Sequence, residues 1–188
     1  MAKEEKDELT EYVEKDTAQD DAIRVLVGIV PYIVILVVVV LVRTFIITPV
    51  IVSGESMKPT YDGGEVLLLY KLAKYKDYDR FDIVVVQKDD ERIIKRVIAL
   101  PGETISCEKG IIYVNDRKLE DDYGTGLNGD FEKVKLGDNE YFVLGDNRNN
   151  STDSRFEQVG NIDGDDIVGK AWVRVYPFNE FGLVDNIE

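Results

Sequence analysis

The hydrophobic pattern divides the chain into three stretches. Residues 1–22, opening MAKEEKDELTEYVEKDTAQDD, are polar and acidic and nearly free of large apolar side chains. Such a segment cannot bury a core, and it predicts a disordered or loosely helical tail. Val25 to Val42 then reads VLVGIVPYIVILVVVVLV, 18 residues without a charge, between Arg24 and Arg43. A helix of that length rises about 27 Å at roughly 1.5 Å per residue, close to the thickness of the bilayer core. The run is too long for a strand and has no polar face, and Pro31 is tolerated inside a spanning helix. The pattern predicts a transmembrane helix over 23–43. A cleaved signal peptide fits poorly, because the preceding region is long and acidic and no small-x-small site follows.

From Thr44 the period changes. After an apolar continuation (FIITPVIV), the segments EVLLLYKL (65–72), DIVVVQK (82–88), ERIIKRVIAL (91–100), GIIYVN (110–115), EYFVLG (140–145) and DIVGKAWVRVYPF (166–178) are short and rich in Val, Ile and Tyr. They predict strands. YDGG, LPGE, EKG, LNGD, LGDN and IDGDD supply the turns. GIIYVNDRKL reads as a hairpin about Asn115-Asp116. LLLYKLAKYKDY is the best remaining helix candidate. The fold class is mainly β: an antiparallel barrel-like or sandwich-like domain over 44–188, preceded by one transmembrane helix.

Composition removes several functions. The net charge of −14 argues against nucleic-acid binding, which needs basic groups on phosphates. With no histidine and one cysteine, Cys107, neither a zinc site nor an intrachain disulfide can be assembled. NGDFEKVKLGDNE lacks the spacing of a calcium-binding helix–loop–helix. No cofactor is expected. Charge does not orient the span: Lys6, Lys15 and Arg24 lie before it, Arg43 and Lys58 after it.

Three segments could carry chemistry. SGESMKPTY (53–61) presents Ser56 in a turn-prone stretch, where a serine is ordinarily just a turn residue. A serine nucleophile needs a base, and the absence of histidine leaves an unprotonated, desolvated lysine as the remaining common choice. The strand RIIKRVIAL offers one. Alternation places Ile93, Lys95, Val97 and Ala99 on one face and Ile94, Arg96, Ile98 and Leu100 on the other. Periodicity does not say which cation is buried, and both could snorkel from an edge strand. An arginine cannot act as a base near neutrality, whereas a lysine among apolar neighbours can. The third segment, GDNRNNSTDSRFEQVGNI (145–162), is dense in small hydrogen-bonding groups. It suits a rigid support in which a hydroxyl steadies the amine and Asp153 pairs with Arg155.

Taken together, SGESMKPT after a membrane span, IIKRVIALPGE about 40 residues on and GDNRNNSTDSR about 50 further resemble, in order and spacing, the three diagnostic boxes of the type I signal peptidases. FDIVVV fits between the first two boxes, and RVYPFNEFG resembles the ending of the short Gram-positive members. The resemblance covers roughly residues 23–182. It implies a serine/lysine-dyad endopeptidase, with Ser56 as nucleophile and Lys95 as general base. It implies that Ser151 orients the lysine, that Asp153 and Arg155 form a supporting pair, and that Asp146 and Asn147 begin the third box. Met57 would line the substrate pocket, and the Ser56 N–H would donate to the oxyanion. Some members carry a serine two positions before the nucleophile as a second oxyanion donor. Gly54 stands there in this chain, as in the Gram-positive pattern.

The implied substrates are exported preproteins cut after small-x-small, Ala-x-Ala-like sites. The implied location is the cytoplasmic membrane, single-pass, with a cytoplasmic N-terminus and an extracytoplasmic catalytic domain working as a monomer at the lipid bilayer. Two other readings compete. A self-cleaving repressor-type serine/lysine peptidase would carry a DNA-binding domain where this chain has a span. A catalytically inactive anchored β module assisting surface-protein or pilus assembly would lack the serine or the lysine.

Overall fold

The computed structural model describes residues 2–75, 77–88 and 91–184, with side chains from Arg24 onward except those of residues 74 and 75. Two compact units divide at Thr44. The first is one helix, α1 (Ala2–Phe45), which includes the acidic residues expected to form a disordered or loosely helical tail. Its portion Arg24–Phe45 is long and apolar enough to cross a membrane, and those residues are not buried within the protein.

The second unit is built of antiparallel strands in two sheets. In chain order they are β1 (Ile47–Ile51), β2 (Val66–Tyr70), β3 (Ile83–Lys88), β4 (Glu91–Ala99), β5 (Thr104–Glu108) and β6 (Ile111–Val114). There follow β7 (Arg117–Lys118), β8 (Phe131–Lys135), β9 (Glu140–Leu144), β10 (Ile162–Asp163), β11 (Ile167–Tyr176) and β12 (Gly182–Leu183). The larger sheet has the order β1-β2-β11-β3-β4-β9-β10, with β12 also on β11; the smaller has the order β7-β6-β5-β8. Neither sheet closes into a barrel. Each of the six predicted strands is present, β7 is the second limb of the predicted hairpin, and β1, β5, β8, β10 and β12 add to them. LLLYKLAKYKDY is not an α-helix: it supplies part of β2 and a 3-10 turn at Lys71–Tyr75. The predicted hairpin joins β6 to β7, with Val114 opposite Arg117 and both Asn115 and Asp116 at positive φ (51° and 63°). That backbone is the two-residue turn matching strand twist, and Asn and Asp tolerate it better than most side chains.

The placement of β4 matters most for the site. It pairs with β3 on one side and β9 on the other, with Lys95 opposite Val84 and Val97 opposite Val143. An interior strand gives a long cation no edge to escape from. Both Lys95 and Arg96 are buried, at 3 % and 1 % exposure. The snorkelling alternative does not occur. Beside the strand, Val52, Met57, Tyr61, Leu67 and Leu69 form an apolar cluster beneath the segment carrying Ser56.

Candidate active site

The segment from Val52 to Glu65 is a closed loop. Val52 N–H donates to Glu65 O (2.8 Å), and Gly64 N–H donates back to Val52 O (2.9 Å). Gly54 lies at φ +78°, where a side chain would strain the backbone, so the chain can turn sharply just ahead of Ser56. The turn sends Met57 inward. It is 1 % exposed, packed in the cluster below the loop, and does not line the cavity, in contrast to the role the resemblance implies for it.

The turn and the interior strand bring Ser56 and Lys95 together. Lys95 Nζ donates to Ser56 Oγ at 2.8 Å, across 39 residues of sequence. Burial draws the Lys95 ammonium down to about 8 from 10.5; Asp153 and Asp146 pull it up, and Arg155 pushes it down further. Desolvation dominates, because the interior penalises the charged form more than the two carboxylates favour it.

The third segment packs against both groups. Asp146 is fully buried and accepts two bonds from Arg96, Nε at 2.8 Å and Nη2 at 2.6 Å, in the fork geometry natural to guanidinium and carboxylate. Thr60 Oγ1 adds a third bond at 2.5 Å. Asn147 ties the segment to the turn carrying Ser56: its N–H donates to Ser56 O (3.0 Å) and its Nδ2 to Glu55 O (3.1 Å). Asp153, also fully buried, accepts from Arg155 Nε (2.7 Å) and Nη2 (2.9 Å) and from Gly145 N–H (3.1 Å). Gly145 has no room for a side chain: a Cβ there would lie 2.2 Å from Ser151 Oγ and 2.5 Å from Ser56 O. The Ser151 hydroxyl is buried and has no hydrogen-bond partner among the described residues, so the structure does not join it to Lys95.

A cavity of about 500 Å³ opens over the pair. Its walls include Ser53 to Ser56, Ile93 to Lys95, Asn150 and Thr152. Ser53, Asn150 and Thr152 carry no signal that singles them out in the sequence; only the fold gathers them here. The same holds for Thr60 and for Tyr123, whose ring lies 3.7 Å from the Arg96 guanidinium carbon. Among the described residues no group of three or more His, Cys, Asp or Glu side chains is placed to hold a metal. The arrangement offers a hydroxyl, an amine with a lowered pKa within proton-transfer distance, and open space above them. That is what acyl transfer requires.

Comparison with known proteins identifies a family. The model of the family described as signal peptidase, peptidase S26, matches residues 26–176. Signal peptidase I of Bacillus licheniformis is 36% identical over 167 residues, covering 81% of this chain and 89% of that protein. Signal peptidase I S of Bacillus subtilis (strain 168) is 39% identical over 153 residues, covering 74% and 83%. The crystal structure of a signal peptidase I from Enterococcus faecalis V583 is 30% identical, covers 50% of this chain and 97% of that one, and superposes with a TM-score of 0.42.

Proposed function

Because the chain belongs to the signal peptidase I family, serine peptidases that remove signal peptides, we propose that it cuts exported preproteins with Ser56 as nucleophile and Lys95 as general base. Neutral Lys95 takes the Ser56 proton as Oγ attacks the scissile carbonyl. The resulting ammonium protonates the departing amine, and the regenerated Lys95 amine then takes a proton from water, which hydrolyses the Ser56 ester and frees the enzyme. The Ser56 N–H, which has no acceptor among the described residues, donates to the oxyanion. Asp146, Asn147, Asp153 and Arg155 hold the frame, and Ser151 sits beside it. The cleavage sites are small-x-small, Ala-x-Ala-like.

The observation that carries this reading is the 2.8 Å contact of Lys95 Nζ with Ser56 Oγ, made by a buried lysine with a lowered pKa. With a pKa near 8, roughly one molecule in ten has the neutral amine at pH 7, against roughly one in three thousand for an ordinary lysine. The rate therefore rises with pH through about 8 and then levels. The apolar part of α1 anchors the enzyme in the cytoplasmic membrane as a single-pass monomer. Its N-terminus is cytoplasmic and its catalytic domain extracytoplasmic, and protease shaving of intact cells tests that orientation.

The test of the chemistry is cleavage of a preprotein bearing an Ala-x-Ala site by the purified full chain in detergent. Ser56→Ala and Lys95→Arg should each abolish it. Normal cleavage by Lys95→Arg beside an inactive Ser56→Ala would remove the lysine from its role.

A further inference from the structure

The arginine–aspartate pairs around Lys95 are gripped from behind by a segment the mechanism does not use. It is residues 121–128, DDYGTGLN, between β7 and β8. Asp121 Oδ2 accepts from Arg148 Nη2 at 2.5 Å, and that guanidinium is 1% exposed. The Tyr123 ring covers the Arg96 guanidinium at 3.7 Å. Thr125 N–H donates to Asp146 O (2.7 Å), and Arg148 N–H donates to Thr125 O (2.9 Å). Asn128 O accepts from Arg155 Nη1 at 2.6 Å, while its side-chain oxygen accepts from Arg148 Nη1. The fit is close: a Cβ on Gly124 would lie 2.3 Å from the Arg148 guanidinium carbon, and Arg148 could give way only by loosening its bonds to Asp121, Asn128 and Gly145 O. No residue of the segment lines the cavity over Ser56.

Building on the Ser56/Lys95 reading, we propose that residues 121–128 are a positioning strap: they hold Arg96 and Arg155 on Asp146 and Asp153, and so keep the general base aligned with the nucleophile. A guanidinium that can slide takes its carboxylate with it, and small displacements of a reacting pair cost large factors in rate. The strap also has an electrostatic consequence. The charged groups about Lys95 are Asp146, Asp153 and Arg155 from the third segment and Arg96, next to it on β4 and bound to Asp146; Glu55, Glu91 and Arg92 share its cavity. If Arg155 loosens, Asp153 acts on Lys95 less compensated, and the amine keeps its proton to higher pH.

The test compares Gly124→Ala and Tyr123→Leu with the unaltered full chain in detergent, on a preprotein with an Ala-x-Ala site. Each should lower kcat by about tenfold or more with KM nearly unchanged. Each should also move the midpoint of the pH–rate curve to higher pH. Lys133→Ser, outside the strap on a side chain of β8 that is 56% exposed, should behave as the unaltered enzyme. Ile167→Ala, in β11 and in a core cluster that contains no strap residue, lowers the melting temperature away from the strap and should keep the original midpoint. The proposal is overturned if the strap variants keep their kcat and midpoint, or if they lose activity at an unmoved midpoint as a merely destabilised protein would. Lys95→Arg, assayed alongside, separates the premise from the inference. If it is inactive, the outcome of the strap variants decides the proposal; if it cleaves normally, the dyad reading fails and the strap proposal with it.

Discussion

Lys95→Met should produce an enzyme that cleaves nothing and is harder to unfold at neutral pH. Methionine matches the lysine stem in length and places no charge in the site. A lysine at 10.5 in the unfolded chain and about 8 in the folded one binds its proton more weakly when folded. Between those values the unfolded state holds more protons, so stability rises with pH there; below 8 the folded state carries the full penalty. At about 1.4 kcal/mol per tenfold change, that penalty is about 3 kcal/mol. Met also forgoes the 2.8 Å bond to Ser56, about 1 kcal/mol. The variant should therefore gain about 2 kcal/mol at pH 6.5, and the gain should shrink to near zero by pH 10, where most of the penalty has been relieved. Urea unfolding of both proteins in the same detergent, at both pH values, measures the difference and cancels the titration of every other group. A gain equal at the two pH values, or an unaltered protein that is the more stable at pH 6.5, would refute the reasoning.

Ser151→Ala removes a buried hydroxyl that has no partner, so stability should be unchanged or up by about 1 kcal/mol in thermal melts, and any loss of kcat then reports on the lysine rather than on folding. Gly145→Ala drives a methyl against Ser151 Oγ and Ser56 O and should abolish cleavage in a chain whose circular dichroism is otherwise unaltered. Arg96→Met strands the Asp146 carboxylate and should cost about 3–5 kcal/mol; Arg96→Met with Asp146→Leu should recover most of that in the same unfolding assay.

The strands that can be read from sequence are those whose β-branched runs are cut off by turn residues, such as DIVVVQK and EYFVLG. β1 is hidden because FIITPVIV reads as an apolar continuation past Arg43 and Thr44, with no turn residue ahead of Ile47 to mark where a strand begins. β8, FEKVK, shows the sheet only weakly: two of its five residues are half-buried and the rest exposed. The site divides in the same way. Chemistry singles out Lys95 once histidine is absent, yet its burial depends on β4 being flanked by β3 and β9, a fact of topology that alternation along one strand cannot carry. Met57 sits next to Ser56 in sequence and apart from the cavity in space, because the turn after Gly54 rotates it into the core.

A low lysine pKa inside a segment dense in acids needs a reason, and the arginines supply it. Asp146 and Asp153 are both fully buried and both raise the Lys95 pKa, yet desolvation outweighs them. Asp146 already shares its charge among two Arg96 nitrogens and Thr60, and Asp153 among two Arg155 nitrogens and Gly145 N–H. Each carboxylate is partly compensated before the lysine meets it. Buried ion pairs seldom exceed well-packed apolar side chains in stability, so stability alone is a weak reason for these two to be here. In the proposed mechanism they allow a polar, hydrogen-bonded frame around Lys95 without a net negative field that would hold it protonated. This makes the two pairs unequal to single losses. Arg155→Met leaves Asp153 uncompensated and should push the midpoint of the pH–rate curve above 8, whereas Asp153→Asn should pull it below. Movement of both variants in the same direction would show that packing, and not charge, is what the pairs contribute.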